Sequence, residues 1–396
     1  MKKLLLLLLV FSVCLSHALN AENLFEKIRL NGFLSQAYMK SSKNNFLTRS
    51  TEGSFEINEL GFTVSTDLTD KLRLGFQLFS RDLGDLGNNT VHLDWAFGDY
   101  RLTNWLGIRL GKVKAPMGLY NEGRDTDFLR PMAFLPQGIY IETYRGFIVA
   151  YQGLGLYGNI NLNKLGELGY HVYAGTNNIS KDETLVKHIG NMISQYAKMP
   201  VPDFNVNTKR AKGGKIEWDT PITGLKTAVS YLDYYGEMLL HAGMPEIGHL
   251  KVPHWWILSL EFVRRNFTLS AEYSEMKTDI ALNSVPTPLE LKTHQAFYVM
   301  VSYMLTKHIT LTGLVDIFYR DKEDRKGKLF LLQHLPDYMG WRKDYGACLR
   351  YDFNDHWTVK AEYHTINGAA LYIHLYNTNG FVKDWNYFIF KTSFNF

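Results

Sequence analysis

Apolar and polar residues alternate along much of the chain, in segments of about ten residues separated by turn-forming stretches. A strand turns successive side chains to opposite faces, whereas a helix brings residues three or four apart onto one face. The alternation therefore predicts β-strands with one apolar face and one polar face. The clearest segments have apolar residues at Leu72, Leu74, Phe76 and Leu78, at Val91, Leu93, Trp95 and Phe97, and at Tyr345, Ala347, Leu349, Tyr351 and Phe353.

The connections between the predicted strands alternate in length. The short ones are Thr66–Lys71, Leu102–Trp105, Leu162–Glu167, Thr220–Gly224, Arg264–Asn266, Leu305–His308 and Phe353–His356. The long and polar ones are 41–54, 82–89, 116–144, 178–210, 237–254, 278–293, 321–342 and 365–384. These seven short and eight long connections join sixteen predicted strands.

The backbone hydrogen-bonding groups of sixteen strands are best paired when the strands form a closed cylinder. An open sheet of this size would leave two long edges with unpaired backbone groups, whereas closure pairs every strand with two neighbours, as a lipid environment requires. A soluble β-sandwich would explain the alternation but not the two lengths of connection. The sequence therefore predicts an all-β protein, a transmembrane antiparallel β-barrel of about sixteen strands with short periplasmic turns and long external loops.

The first eighteen residues have the layout of a secretory signal peptide. Lys2 and Lys3 precede the apolar run Leu4–Val13, and Ser16 to Ala18 supply small residues at a cleavage point. We therefore expect residues 1–18 to be cleaved and residues 19–396 to form the barrel in the outer membrane of a Gram-negative bacterium.

Composition narrows the function further. The 43 basic and 39 acidic residues nearly balance, and no dense Lys/Arg cluster occurs, so nucleic acid is not an expected partner. Cys348 is the only cysteine beyond the signal peptide, which excludes an internal disulfide. His241, His249 and His254 share a loop with Glu246, but their spacing matches no recognised metal site. No metal or cofactor is predicted.

The last predicted strand places Phe388, Phe390, Phe394 and Phe396 on one face. It resembles the final strand of outer-membrane barrels, in which alternating apolar residues and a terminal Phe are read by the barrel-insertion machinery. The resemblance implies lipid on the outer face and an interaction with that machinery through the strand that ends at Phe396.

Residues 90–131 carry a second resemblance. The hairpin VHLDWAFGDY is followed by a strand that continues into GKVKAPMGLYNEGRDTDFLRP. This region is similar to the phosphate-selective (O/P-type) family of Gram-negative outer-membrane porins. In porins the third long loop folds into the lumen and narrows it, which implies that 116–144 is the constriction loop here. The resemblance also implies a homotrimer.

The predicted constriction loop and the strands beside it are rich in charge. Six bases and four acids there can set a transverse field across a narrow aqueous path, with a slight positive excess. The alternative is that these charges pair with one another and only hold the loop. The constriction candidates are Arg109, Lys112, Lys114, Glu122, Arg124, Asp125, Asp127, Arg130, Glu142 and Arg145.

Charged residues also alternate along the polar faces of the predicted strands. The pore-wall candidates are Arg73, Arg81, Asp94, Asp316, Arg320, Arg350, Lys360 and Glu362. Counting Arg109, Glu261, Glu272, Asp344 and Asp352 as well, these faces carry six bases and seven acids. That balance is not a basic ladder, so phosphate specificity is not predicted.

A barrel of about sixteen strands encloses an aqueous channel rather than a filled core. The sequence therefore predicts a porin for passive diffusion of small hydrophilic solutes or inorganic ions, with a weak preference for anions. Two alternatives stay open, namely an outer-membrane barrel enzyme of the lipase or protease type, and a non-conducting structural or adhesive barrel. The chain contains no G-x-S-x-G segment, and we expect no enzymatic activity.

Overall fold

Sixteen antiparallel strands close into one barrel in the computed structural model, which confirms the predicted fold class. The model describes residues 27–84, 87–198, 202–240, 245–371, 377 and 380–396, so the predicted signal peptide, 1–18, lies outside the described residues. The strands are β1 Ile28–Ser41, β2 Ile57–Asp67, β3 Leu72–Leu83, β4 His92–Thr103, β5 Leu106–Lys114, β6 Ala150–Asn161, β7 Glu167–Thr176, β8 Asn205–Asp219, β9 Leu225–Leu239, β10 Gly248–Arg264, β11 Phe267–Leu282, β12 Glu290–Met304, β13 Ile309–Tyr319, β14 Trp341–Asn354, β15 Trp357–Gly368 and β16 Asp384–Asn395.

Each strand pairs with its neighbours in sequence, and β1 pairs with β16 to close the cylinder. At the seam, Gly32 and Phe396 exchange two backbone hydrogen bonds of 3.0 Å. A side chain on Gly32 would overlap the Phe396 ring, since a Cβ built there lies 2.3 Å from its Cζ atom. The glycine therefore allows the ring to lie flat across the seam.

Short and long connections alternate as predicted, but two of the long ones are shorter than expected. The predicted loop 237–254 contracts because β9 continues to Leu239 and β10 begins at Gly248. Pro253 lies in a register shift of β10, where a bulge accommodates a residue that cannot donate to the ladder. The predicted loop 278–293 likewise contracts to 283–289.

The outer face of the barrel is apolar, and Phe76, Val91, Leu93, Phe388 and Phe390 are exposed there as the alternation predicts. The inner face is polar near β14 to β4, whereas on β9 to β13 it combines apolar side chains with polar ones such as Ser274, Glu272 and Asp316. Apolar side chains buried on those inner faces include Leu232, Trp255, Ile257, Met276, Ile280, Met300 and Leu314.

The strand β4 departs from simple alternation in a way that changes which face its aromatic residues occupy. Leu78 pairs with Leu93 but Gln77 pairs with Trp95, so Asp94 is an extra residue in β4. The bulge moves Trp95 and Phe97 to the inner face, which corrects the sequence-based expectation that they share the outer face with Leu93. A one-residue slip exchanges the two faces because the side-chain period of a strand is two.

In the described parts of the long connections there are three helices: α1 Arg145–Ile148, α2 Thr184–Ala197 and α3 Lys328–Leu332. Short 3₁₀ segments are Asp127–Leu129, Glu142–Tyr144, Asn163–Leu165 and Asp337–Gly340. Of the helices in the described ranges, none has the length and apolar character needed to cross a bilayer.

The helix α2 was not expected within the predicted loop 178–210. It buries Val186, Ile189 and Ile193 in the same apolar cluster as Met276 and Ile280 of the inner wall. The helix therefore packs into the long-loop mouth of the barrel, because the apolar inner face of β10 and β11 needs cover from water.

Candidate functional site

Residues 115–149, called the lumen loop below, cross the interior of the barrel from β5 to the opposite walls. The backbone N–H of Leu119 donates to Glu272 on β11 at 2.8 Å, and that of Gly138 donates to Asp316 on β13 at 2.9 Å. The N–H of Ala133 donates to Glu362 on β15. Three strands far from β5 therefore hold the loop by carboxylate side chains.

The loop leaves the wall at a defined neck. Pro116 has no N–H and cannot continue the ladder of β5. The Asn121 side-chain amide donates to the carbonyl oxygens of Ala115 at 2.9 Å and Ile148 at 3.0 Å. One buried side chain thus ties the two ends of the loop together.

Apolar packing also holds the loop. Its buried residues Met132, Leu135, Ile139, Ile141 and Phe147 belong to the cluster formed with the apolar inner faces of β9 to β13. This packing removes apolar surface of both the loop and the wall from water, so the hydrophobic effect stabilises the loop against the wall without fixing its orientation. The charged contacts described next fix the position of the loop.

The first group of charges, the Asp127 cluster, comprises Asp127, Arg130, Glu59, Lys360 and Lys391. Lys360 Nζ lies 2.9 Å from Asp127 Oδ2, and Arg130 bridges Glu59 at 2.6 Å and Asp127 at 2.8 Å. Lys391 contacts both carboxylates. Burial by itself raises the pKa of Asp127, but the surrounding Lys360, Lys391 and Arg130 outweigh it and hold that pKa well below its usual range.

The second group, the Glu142 cluster, comprises Glu142, Arg124 and Arg81. Glu142 accepts from Arg81 of β3 at 2.6 Å and from Arg124 of the loop at 2.9 Å. Burial opposes ionisation of Glu142, yet the two guanidinium groups lower its pKa to about 2. The carboxylate is therefore charged at neutral pH and joins the loop to the β3 wall.

The third group, the Asp125 cluster, comprises Asp125, Arg145, Lys114 and Asp94. Asp125 contacts both Lys114 and Arg145, and Arg145 also reaches Asp94 at 3.1 Å. The Asp94 carboxylate belongs to the bulged residue of β4, so the extra residue there supplies an anchor for the loop. The Arg145 guanidinium additionally lies 4.5 Å from the centre of the Phe79 ring.

Seven of the ten constriction candidates belong to these three clusters and are buried. Together the clusters contain seven bases and five acids, all within ion-pair distance of an opposite charge. Their side chains hold the loop to the wall and are not spread along an open surface. The buried candidates are Lys114, Arg124, Asp125, Asp127, Arg130, Glu142 and Arg145.

The other three constriction candidates are not members of these clusters, although Lys112 lies close to the Asp125 cluster. Arg109 pairs with Asp99 at 2.9 Å near the short-turn end. Glu122, at the loop surface, lies 3.3 Å from Lys215 on β8. The Lys112 ammonium donates to the carbonyl oxygen of Leu93 at 2.6 Å.

The remaining wall candidates divide into buried and accessible groups. Asp316 is buried and pairs with Arg342 at 2.9 Å, and Glu362 is buried against the loop. Arg320 pairs with Glu290 at 3.2 Å, and Arg350 pairs with Asp352 at 2.8 Å. Arg73 is exposed at the short-turn end.

Sequence reasoning missed Glu59, Lys391 and Arg342 as members of this network. Each occupies an inward position of its strand, so the alternation of the sequence indicated its face. In β16, for example, Phe390 faces outward, and Lys391 and Ser393 face inward. Nothing in the local pattern indicated which charges the loop would bring to them.

Within the parts of the chain that the structure describes, no group of three or more His, Cys, Asp or Glu side chains could hold a metal ion. Of the loop histidines considered above, His241 lies outside the described residues, and His249 lies 3.5 Å from Asp279.

Comparison with known proteins agrees with this architecture. No family model matches the chain, and no curated protein matches it by sequence. Among solved structures, the chain is similar to OmpF of Salmonella typhi in complex with daunomycin, with a TM-score of 0.59 and 14% identity over 93% of this chain and 97% of that chain.

Two further structures share the fold. The anion-selective porin from Comamonas acidovorans gives a TM-score of 0.55 at 12% identity, covering 93% of this chain and 99% of that one. The outer membrane channel DcaP of Acinetobacter baumannii gives 0.54 at 12% identity, covering 93% and 97%. At these identities the likeness establishes the fold: a sixteen-stranded barrel of the outer-membrane porin type.

Proposed function

We propose that the protein is an outer-membrane porin, a channel for passive diffusion of small hydrophilic solutes or inorganic ions with a weak preference for anions. The observation that carries the proposal is the lumen loop, held across the interior of a closed barrel by three charged clusters. A barrel of this strand number is wide enough for an aqueous lumen, and a loop inside it narrows the path.

The weak anion preference is supported by the balance of charge within the three clusters, which excludes the wall carboxylates Glu272, Asp316 and Glu362 that accept from the loop backbone. Seven bases against five acids leave an excess of two positive charges in the three clusters. Because each base lies close to an acid, the field that reaches a permeating ion is small. The similar barrel from Comamonas acidovorans is described as anion-selective, although that property belongs to that protein.

The same proposal covers location and assembly. The chain would be exported with loss of residues 1–18, inserted into a Gram-negative outer membrane by the barrel-insertion machinery through the strand ending at Phe396, and assembled as a homotrimer. The apolar outer face supports a lipid surround. A similar barrel, OmpT of Vibrio cholerae, is described in a trimer form, with a TM-score of 0.54 at 10% identity. Light scattering of the detergent-folded protein would measure the number of chains.

The proposed channel is not an enzyme. Most of the charged side chains of the lumen loop form ion pairs with the wall. Because these pairs hold the side chains in place, they are unsuited to transfer protons to or from a substrate. A lipid or peptide hydrolysis assay on the folded protein would expose an enzymatic role.

Conductance across a planar bilayer tests the central proposal. We expect stepwise, ohmic currents in KCl, and swelling of protein-loaded liposomes in small sugars but not in large ones. Replacement of 122–130 by a short Gly-Ser linker should raise the conductance, because it removes part of the loop and the Asp127 cluster with it. An inert bilayer with correctly folded protein would refute the channel, while unchanged conductance after the replacement would refute the constriction.

A further inference from the structure

A cavity of about 720 Å³ opens at the short-turn end of the barrel, between the ends of β1 to β6. It is called the turn-side vestibule below. Six bases line it: Lys27, Arg29, Lys71, Arg73, Arg101 and Arg109. Three acids accompany them, Asp67, Asp70 and Asp99, so the described lining carries a formal charge of plus three.

Part of this charge is neutralised within the vestibule. Arg29 pairs with Asp67 at 2.7 Å, and Arg109 pairs with Asp99 at 2.9 Å. Among the residues that the structure describes, no ion pair within 4.0 Å involves Arg73 or Arg101. Both side chains are exposed to the cavity rather than buried.

The position of Asp99 explains why these two arginines stay without a partner. Asp99 is directly opposite Arg73 across β3 and β4, and opposite Arg109 across β4 and β5. Its Oδ2 atom accepts from Arg109, and its Oδ1 atom accepts from the Tyr157 hydroxyl. Asp99 already balances the charge of Arg109, and Asp67, which is opposite Arg73 across β2 and β3, balances that of Arg29. Arg73 and Arg101 therefore remain as excess positive charge in the vestibule.

The register also brings the basic groups together. Arg101 lies two residues beyond Asp99 on the same face of β4. It is therefore the diagonal neighbour of Arg73, which is opposite Asp99 on β3. Side chains at such positions are within about 8 Å of one another. Guanidinium groups are planar, permanently charged and matched to the geometry of two oxygens on one anion.

We propose that the turn-side vestibule is a binding site for small oxyanions, with Arg73 and Arg101 as the binding residues. The inference rests on the proposed channel. In that channel a permeating anion meets accessible positive charge in the turn-side vestibule, because the charged clusters of the lumen loop are buried. The site lies at an open mouth, so binding is weak and falls steeply with ionic strength.

Isothermal titration of the folded, detergent-solubilised protein at low ionic strength tests binding without requiring a current. The probes are inorganic sulfate, inorganic phosphate and malonate, titrated separately. The double variant Arg73→Gln with Arg101→Gln should bind at least tenfold more weakly, which corresponds to a loss of about 1.4 kcal/mol or more for the two charged contacts together. Arg73→Lys with Arg101→Lys should lie in between, because it keeps the charge but loses the planar fork.

The matched control is Arg264→Gln with Arg265→Gln. These arginines are exposed at the same end of the barrel, Arg264 as the last residue of β10 and Arg265 in the turn that follows, and they do not line the vestibule. The control removes the same charge and should bind as the unmodified protein does. Binding of sulfate and phosphate alone would assign inorganic oxyanions, and binding of malonate as well would extend the site to carboxylates.

Reversal potentials in a KCl gradient supply the second measurement. The Arg73 and Arg101 double glutamine variant should shift the permeability ratio toward potassium, while the control variant should not. Absence of saturable binding of all three probes, or equal binding by both glutamine variants, would overturn the site. Normal binding by a protein that passes no current would overturn the proposed channel and leave the site standing.

Discussion

Lys360 on β15 and Asp127 in the lumen loop are separated by 233 residues in the chain, yet the lysine ammonium lies 2.9 Å from the aspartate Oδ2 atom. The same ammonium donates to the Asp127 carbonyl oxygen at 2.7 Å. Both side chains are almost completely removed from solvent. Asp127 also accepts from the Ser393 hydroxyl at 2.7 Å, so this one carboxylate ties the loop to the two last strands.

Replacement of Asp127 by Asn should therefore destabilise the folded barrel. The amide cannot balance Lys360, and breaking one member out of a buried ion pair costs about 3–5 kcal/mol. The temperature at which the folded form loses its fast electrophoretic mobility should fall. The control is Asp355→Asn in an exposed short turn, which should unfold like the unmodified protein. Equal unfolding of the two variants would show that the Asp127 cluster does not hold the loop.

The docking of the loop should also depend on pH in one direction. Glu142 has its pKa lowered to about 2 in the folded protein, against about 4.3 in an unfolded chain, and the pKa of Asp125 and Asp127 is lowered as well. Such carboxylates contribute stability that is fully present above the unfolded pKa and is lost as pH falls through the folded pKa.

The contribution of these three carboxylates to unfolding temperature and conductance should consequently stay constant from about pH 7 to pH 5 and change only below about pH 4. Titration of both quantities checks this. The variant Glu142→Gln should flatten part of the acid dependence, because it has no proton to gain. A transition centred near neutral pH would show that these three carboxylates do not control the loop.

The bulge at Asp94 predicts different surroundings for two tryptophans. Trp95 faces the lumen, with its ring close to Gly75 and Phe97, whereas Trp218 on β8 is exposed on the outer face. In variants that retain only one of them, lipids brominated near the headgroup should quench Trp218 and spare Trp95. Strong quenching of Trp95 would show that Trp95 faces the lipid, as simple alternation predicts, and would contradict the bulge.

The final strand should tolerate charge according to depth. Phe390 and Phe396 both face outward, but Phe396 lies at the short-turn end and Phe390 lies six residues nearer the middle of the barrel. Arginine at Phe390 should cost about 2–4 kcal/mol on the lipid face, and arginine at Phe396 about 0–1 kcal/mol. Refolding yields into pure lipid vesicles measure the difference.

The matched control is Phe55→Arg, at a residue as exposed as Phe396 but outside the strands. It should fold normally. If Phe396→Arg assembles worse than Phe390→Arg in cells but not in pure vesicles, an assembly factor recognises that aromatic residue. If neither position affects refolding, the outer face of β16 is not the lipid surface that the barrel requires.

The sequence by itself determined the strands, their number and their order around the barrel. The alternation of side chains shows which residues share a face of a strand, and the length of a connection indicates the end of the barrel at which it lies. Both features can be read from short segments of the sequence. The local pattern around Pro116 indicated where the chain leaves the sheet, but the expectation that the loop folds into the lumen came from the resemblance to porins. Local patterns failed at Trp95, because a bulge is a choice of pairing between β3 and β4 rather than a property of either strand.

Only the tertiary structure decided what the charges do. The sequence marked Arg124, Arg130 and Asp127 as charged loop residues, but their partners Glu142, Glu59 and Lys360 became known only when the barrel closed and the loop crossed it. The sequence gives the residue type but does not show whether a charged side chain is exposed or is buried in an ion pair. What separates the two cases is the desolvation penalty and the position of an opposite charge, and both arise from contacts between segments far apart in the chain.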